Sequence, residues 1–193
     1  METERLLLRM WRPGDLGAFA ALNADERVMR FVGARRPLTL SESELLLAQI
    51  TGHWERHGFG LWAVAPRADG DGDGGGDGDA AIGFVGLAVP SFLPAVLPAV
   101  EVGWRLAPDG WGRGLATEGA RASVASAWEA LGLRRLLSII HPDNERSLRV
   151  AAKLGMRPGL DRLLPGSRAR VRVLELDADA LPALLSPPSP PAS

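Results

Sequence analysis

Between Val100 and Trp128 the sequence reads VEVGWRLAPDGWGRGLATEGARASVASAW, a strand, a glycine-rich turn and the start of a helix in immediate succession. Glycines at 110, 112 and 114 let the backbone approach a ligand closely and adopt conformations closed to other residues. The helix expected from Thr117 to about Leu131, closed by Gly132, would present unpaired N–H groups and the positive end of its dipole to whatever sits in the turn. A pyrophosphate suits that position, and Arg113 would add a guanidinium. The same spacing also fits a plain strand-to-helix connector without a ligand. Two other phosphate loops fail on residues. G-x-x-x-x-G-K-[ST] is absent, and G-x-G-x-x-G would begin at Gly112 but meets Thr117 at its third glycine.

The rest of the chain supplies a sheet around this turn. A first strand is expected within Thr3 to Trp11, a short helix capped by Asp15, and a helical turn within Asp25 to Val32. Ser41 and Glu44 have capping-box spacing before a helix whose apolar face is Leu45, Leu46, Ile50 and Trp54, ending at Gly58. Strands at Gly60 to Ala65 and Ala80 to Val89 flank RADGDGDGGGDGD, read as a flexible loop at 67–80. Asp69, Asp71, Asp73 and Gly74 match the opening of an EF-hand loop, but Ala80 stands where the bidentate Glu belongs. Ser91 to Ala99 is apolar and interrupted by Pro94 and Pro98, which argues against a regular element. Downstream of the turn come a strand at Arg134 to His141, a helix at Glu145 to Leu154 and a strand at Ala169 to Leu176. Antiparallel hairpins precede a parallel strand-helix-strand unit. The fold class is therefore α+β, with a mixed, mostly antiparallel sheet flanked by helices. One domain at 1–182 and a Pro-rich disordered tail at 183–193 are expected.

Composition narrows the chemistry. The chain lacks cysteine, which excludes disulfides and thiolate nucleophiles and makes the cytoplasm the default location. With 22 basic and 23 acidic residues, no global field draws it to nucleic acid or an anionic membrane. No apolar run approaches the roughly 20 residues that span a bilayer. His53 and His57 lie one helical turn apart, but HWERH lacks the Glu of H-E-x-x-H and a third ligand, so no metal is expected and a solvated helix end is the better reading.

VEVGWRLAPDGWGRGLATEGA followed by HPDNERSLRVAAKLGM resembles the GNAT superfamily of N-acetyltransferases, most closely its RimJ/RimL-like branch. The resemblance covers about residues 3–177. It implies the GNAT fold, acetyl-CoA as co-substrate and a primary amine as acceptor, which is a protein N-terminus or a small molecule. It further implies that the backbone of Trp111, Gly112, Arg113, Gly114, Leu115 and Ala116 holds the pyrophosphate. Asn144 would hydrogen-bond the pantetheine arm or its surroundings, with Trp104, Arg105 and Leu106 completing the cofactor side. Asp109 departs from the Gln or Arg frequent there, which weakens one possible phosphate contact and leaves the backbone cradle.

Acetyl transfer to an amine needs a neutral nucleophile, oxyanion stabilisation and a proton for the leaving thiolate. Strand alternation puts Glu101, Gly103 and Arg105 on one face and Val102, Trp104 and Leu106 on the other. Glu101, a carboxylate among apolar residues, is the candidate base; it is equally readable as a residue that orients a cationic acceptor, or as a partly exposed strand charge. A tyrosine donor is excluded because the chain has no tyrosine. Ser147, which the resemblance places near the thiol, is the candidate hydrogen-bond donor to sulfur, its alternative being a first-turn hydroxyl bonded to nearby backbone. The leading expectation is an acetyl-CoA-dependent N-acetyltransferase acting as a monomer or homodimer. A catalytically silent acyl-CoA-binding or regulatory module on the same fold is the second.

Overall fold

A computed structural model describes residues 1–33, 35–67, 80–167 and 169–180. The interior of the expected 67–80 loop, with its EF-hand-like aspartates, and the expected 183–193 tail lie outside the described residues. In chain order the elements are β1 (Leu6–Arg9), α1 (Leu16–Ala24), α2 (Glu26–Met29), α3 (Leu40–His57), β2 (Leu61–Pro66) and β3 (Gly83–Ala88). They continue with β4 (Glu101–Leu106), α4 (Leu115–Glu129), β5 (Arg135–Ile140), α5 (Glu145–Lys153), β6 (Arg157–Pro158), β7 (Arg162–Leu163) and β8 (Arg170–Asp177).

The strand order is β1-β2-β3-β4-β5-β8-β6, and β7 also pairs with β8. Every pairing is antiparallel except β4 with β5. This is the mixed, mostly antiparallel sheet of the GNAT fold, with a parallel strand-helix-strand unit at β4-α4-β5. The two-residue strands β6 and β7 carry no alternation that a sequence pattern could detect.

Alternate residues of β3 fall into different cores, which fixes the layering. Val85 joins Leu6, Leu8, Val102, Leu106, Ala120, Val124 and Leu154 beneath α4 and α5. Phe84 joins Phe19, Leu22, Val28 and Ile50 beneath α1, α2 and α3. A third cluster, Leu93, Leu137, Val171 and Val173, seats the proline-broken segment against β5 and β8. Helix α4 lies directly on β3: a Cβ added at Gly119 would come 3.2 Å from Val85 Cγ2.

Three local expectations are corrected. Helix α3 is capped by Thr39, not Ser41, because Thr39 and Glu42 exchange both bonds of the capping box. Leu45 lies 65% exposed, so the buried face is carried by Ser43 and Ile50 with Leu46 and Leu47 at its edge. Helix α4 begins at Leu115 rather than Thr117, since Gly114 takes the cap position in the left-handed region at φ 81°.

Candidate active site

Strand β4 is hydrogen-bonded to β3 along its length, but its register with β5 is confined to Glu101 opposite Leu137. There Leu137 N–H donates to Val100 O at 3.0 Å. In a regular parallel ladder the next N–H from β5, that of Ile139, would reach Val102 O. Two side chains intervene instead. Ile139 N–H donates to Glu101 Oε1 at 3.1 Å, and the Ser138 hydroxyl donates to Val102 O at 2.9 Å. The strands therefore part toward their C-terminal ends with their polar groups satisfied.

The parting opens into a cavity of about 230 Å³. One wall is Trp104, Arg105 and Leu106 with Trp111, Gly112, Gly114, Leu115 and Ala116; the opposite wall is Asn144, Ser147 and neighbouring α5 residues. Val28, Phe31 and Val32 close it on the α2 side.

The glycine turn forms one end. The Trp111 indole N–H donates to Leu106 O at 2.8 Å, folding the turn back onto the strand. Gly112 at φ 73° and Gly114 at φ 81° occupy the left-handed region, and a Cβ at Gly112 would meet nothing within 4 Å. Because the first α4 bond runs from Glu118 N–H to Gly114 O, the N–H groups of Leu115, Ala116 and Thr117 have no acceptor within the helix.

The turn is strapped from the far end of the chain. Arg5 donates from Nε to Glu118 Oε2 at 2.7 Å and from Nη1 to Arg113 O at 2.8 Å. Thr3 donates to Glu118 Oε1 at 2.6 Å. Burial pushes the Glu118 carboxyl upward, but hydrogen bonds from Thr3 and Arg5 outweigh it and hold the group below its usual range. A negative charge in the first helical turn is thereby matched before any anion arrives.

Across the cavity Asn144 caps α5, its Oδ1 accepting from Ser147 N–H at 3.2 Å. The Trp104 indole N–H donates to Ser147 Oγ at 3.3 Å, so the serine is tied to β4 rather than to nearby backbone. The Arg146 guanidinium lies 4.3 Å from the Trp111 ring centroid and links α5 to the turn by a cation–π contact.

Of the residues expected at the site, the cavity gathers Trp104, Arg105, Leu106, Trp111, Gly112, Gly114, Leu115, Ala116, Asn144 and Ser147. Arg113 is exposed and does not line it. Glu101 does not line it either. It sits at the other end of β4, half-buried, with Oε1 on Ile139 and Oε2 without a protein hydrogen bond among the described residues. Burial pushes its pKa up to about 7 against the opposing Ile139 bond. Oε1 is turned into the protein on Ile139, while Oε2 keeps access to solvent.

Arg5 and Thr3 were not legible as site residues, since they meet Glu118 from more than a hundred positions away. His53 was misread. Its Nδ1 is 2.9 Å from Phe59 O and its Nε2 accepts Val89 N–H at 3.0 Å, so the ring joins α3 to the ends of β2 and β3. Among the described residues no group of three or more His, Asp or Glu side chains is placed to hold a metal. Nor, among those residues, is any helix long and apolar enough to cross a membrane.

The sheet parts beside a helix N-terminus that follows a glycine turn. The chain belongs to the GNAT family of acetyltransferases: the family described as Acetyltransferase (GNAT) domain matches residues 5–157. It is similar to an uncharacterized N-acetyltransferase, YoaA, of Bacillus subtilis, with 26% identity over 157 residues, covering 81% of this chain and 82% of that one. The acetyltransferase of Agrobacterium tumefaciens superposes with a TM-score of 0.72 at 28% identity, covering 91% of this chain and 92% of that one. The ribosomal-protein acetyltransferase RimL, solved in complex with coenzyme A, shares the fold with a TM-score of 0.69 at 14% identity, covering 92% and 97% of the two chains. The protein is thus an acyl-transferring enzyme of a family that uses acetyl-CoA.

Proposed function

We propose that the chain transfers the acetyl group of acetyl-CoA directly to a primary amine, of a protein N-terminus or a small molecule, as a cytoplasmic member of the RimJ/RimL-like branch. The observation that carries the reading is the cavity lined at one end by the open N–H groups of the glycine turn and along its length by Ser147 and the parted edge of β4. Those residues fit the group. The turn has open space above Gly112, a free helix N-terminus and cationic neighbours in Arg146, Arg149 and Lys153. Acetyl-CoA, when bound, supplies the thioester that is cleaved.

The protein's own groups divide the remaining work. Backbone N–H groups from Gly112 to Ala116 bind the pyrophosphate, that of Trp111 being already bonded to Pro108 O at 2.9 Å, and Asn144 holds the pantetheine arm or its surroundings. Ser147, whose oxygen already accepts from Trp104, keeps its proton to donate at the sulfur. Glu101 takes the amine proton from the α1–α3 face of β4. A carboxyl group near pH 7 is suited to that task, being partly ionised at neutral pH and still basic enough to accept.

The test is release of CoA thiol across a broad amine panel. Glu101→Gln is expected to lower kcat at least tenfold at neutral pH and to abolish an acidic limb near pH 7, with the acetyl-CoA Kd within about a factor of two. Unchanged turnover rejects the base. Binding of CoA without thiol release for any amine would instead identify a silent acyl-CoA-binding module.

A further inference from the structure

Arg9 and Arg105 are both drawn inward, and they are treated differently. Arg9 lies beneath α1 and forks onto Asp15, with Nη1 to Oδ2 and Nη2 to Oδ1 both at 2.7 Å. That pair, with Met10 O on the arginine and Arg12 N–H on the carboxylate, serves the fold. Arg105, on the α1–α3 face of β4, has no such partner. Its Nη1 donates to Asn23 Oδ1 at 2.6 Å, and its guanidinium stacks 5.0 Å from the Phe84 ring centroid. Its Nε is buried without an acceptor. Among the described residues no carboxylate lies within 4.0 Å of it, and no acceptor is given to Nη2.

A guanidinium carries five donors, and withdrawing it from water is costly unless they are used. Burial alone pushes Arg105 down to about 10, with no neighbouring charge opposing the shift, so it remains a cation at neutral pH. The supporting shell is nevertheless built with care. Asn23 and Ser43 are both fully buried, Asn23 Nδ2 donates to Ser43 Oγ at 3.3 Å, and Leu38 N–H donates to Asn23 O at 2.9 Å. The amide is thus fixed with its oxygen toward Arg105, and α1, α3 and β4 are joined through one residue. This is a positioned cation with spare donors, in a residue that lines the cavity beside Val28, Phe31 and Val32.

We infer that Arg105 recognises a carboxylate on the acceptor, so that the preferred substrate is an amine carrying a carboxylate on the same molecule. The inference rests on the acetyl-transfer reading for its choice of ligand, and it concerns the α1–α3 side of β4 rather than the cofactor turn. A carboxylate would be met by Nη2, whose N–H groups the fold leaves without an acceptor. The cation would also disfavour protonation of a nearby amine, which helps present the neutral nucleophile. The carboxylate has two sources: a free amino acid, or an acidic side chain near a peptide N-terminus.

The experiment has a binding arm and a turnover arm. In the first, N-acetylleucine and N-acetylleucinamide are titrated by calorimetry into the CoA-loaded wild type and Arg105→Met. The acid is expected to bind roughly tenfold or more tightly than the amide to the wild type, as a charge-assisted pair implies, and equally with it to the variant. In the second, kcat/KM is compared for leucine against leucinamide, and for a dipeptide amide with aspartate second against its asparagine counterpart. A preference in the first pair assigns the free amino acid, and one in the second assigns the peptide. Equal binding of acid and amide to the wild type, a preference that survives Arg105→Met, or a matching loss of CoA affinity in the variant overturns the inference. A carboxylate preference in binding with no amine acetylated would sink the transfer reading and leave the Arg105 site standing.

Discussion

His53 and Glu101 give the protein opposite responses to pH. Burial lowers the His53 pKa from 6.5, opposed by the Phe59 carbonyl and assisted by the neighbouring His57 and Arg56 charges. The neutral ring is the one that fits, because Nε2 must accept from Val89. Its stabilisation is present above pH 6.5 and is lost as pH falls through the lowered value. Glu101 has a raised pKa, so its contribution is full below pH 4.5 and is lost as pH rises through about 7. Urea unfolding of His53→Gln should therefore show a flatter acid slope between pH 5 and 7, with about 1–3 kcal/mol lost at neutral pH from the orphaned Val89 N–H and Phe59 O. An unaltered acid slope would place the acid sensitivity elsewhere. At this scale the sequence was half legible. Strand alternation correctly set Glu101 and Arg105 opposite Val102 and Leu106, because period two is a local property. The Arg105 bond to Asn23 spans 82 positions, and His53 meets partners that the helix period does not reveal.

Among elements, α4 starts where the glycine turn proposed to hold the pyrophosphate ends. Its position is set from below by the close approach of Gly119 to Val85 and from the side by Arg5. Arg5 is 47% exposed in its side chain, so its ion pair with Glu118 adds little to global stability. Its removal should be felt locally. Arg5→Ala frees the Arg113 carbonyl and uncovers the Glu118 charge beside the turn, and acetyl-CoA binding measured by calorimetry is expected to weaken roughly three- to tenfold with little change in Tm. A fall in Tm of more than about 5 °C with unaltered affinity would mean that the strap serves the fold instead. The glycine turn was readable because its signals are consecutive. The α3 cap falls two residues before the expected one because Thr39 with Glu42 and Ser41 with Glu44 offer the same spacing, and it is Thr39 that takes the extended backbone of a cap.

At the scale of the molecule, the sheet consists of an antiparallel run from β1 to β4 and another from β5 through β8, meeting at one register pair reinforced by Glu101 and Ser138. Element order and the mixed sheet were legible from the sequence because hairpins and a strand-helix-strand unit differ in connection length. The parting of β4 from β5 was not, since nothing in either strand's pattern announces that two side chains will replace a ladder bond. A ligand lying in that gap and held by both α4 and α5 should raise the unfolding free energy by about 2.7 kcal/mol at a hundredfold excess over its Kd. Amide exchange should slow most in β4 and β5, and uniform slowing across the sheet would deny the gap any special part.

The meeting of those two runs is also the place where the molecule is least continuous. Pulled from its two ends, a sheet with a full ladder shares the load among many bonds, whereas here Leu137, Ile139 and Ser138 carry nearly all of it. The protein in effect keeps an unfinished seam, and on the proposed reading acetyl-CoA is the thread that closes it for the duration of each turnover.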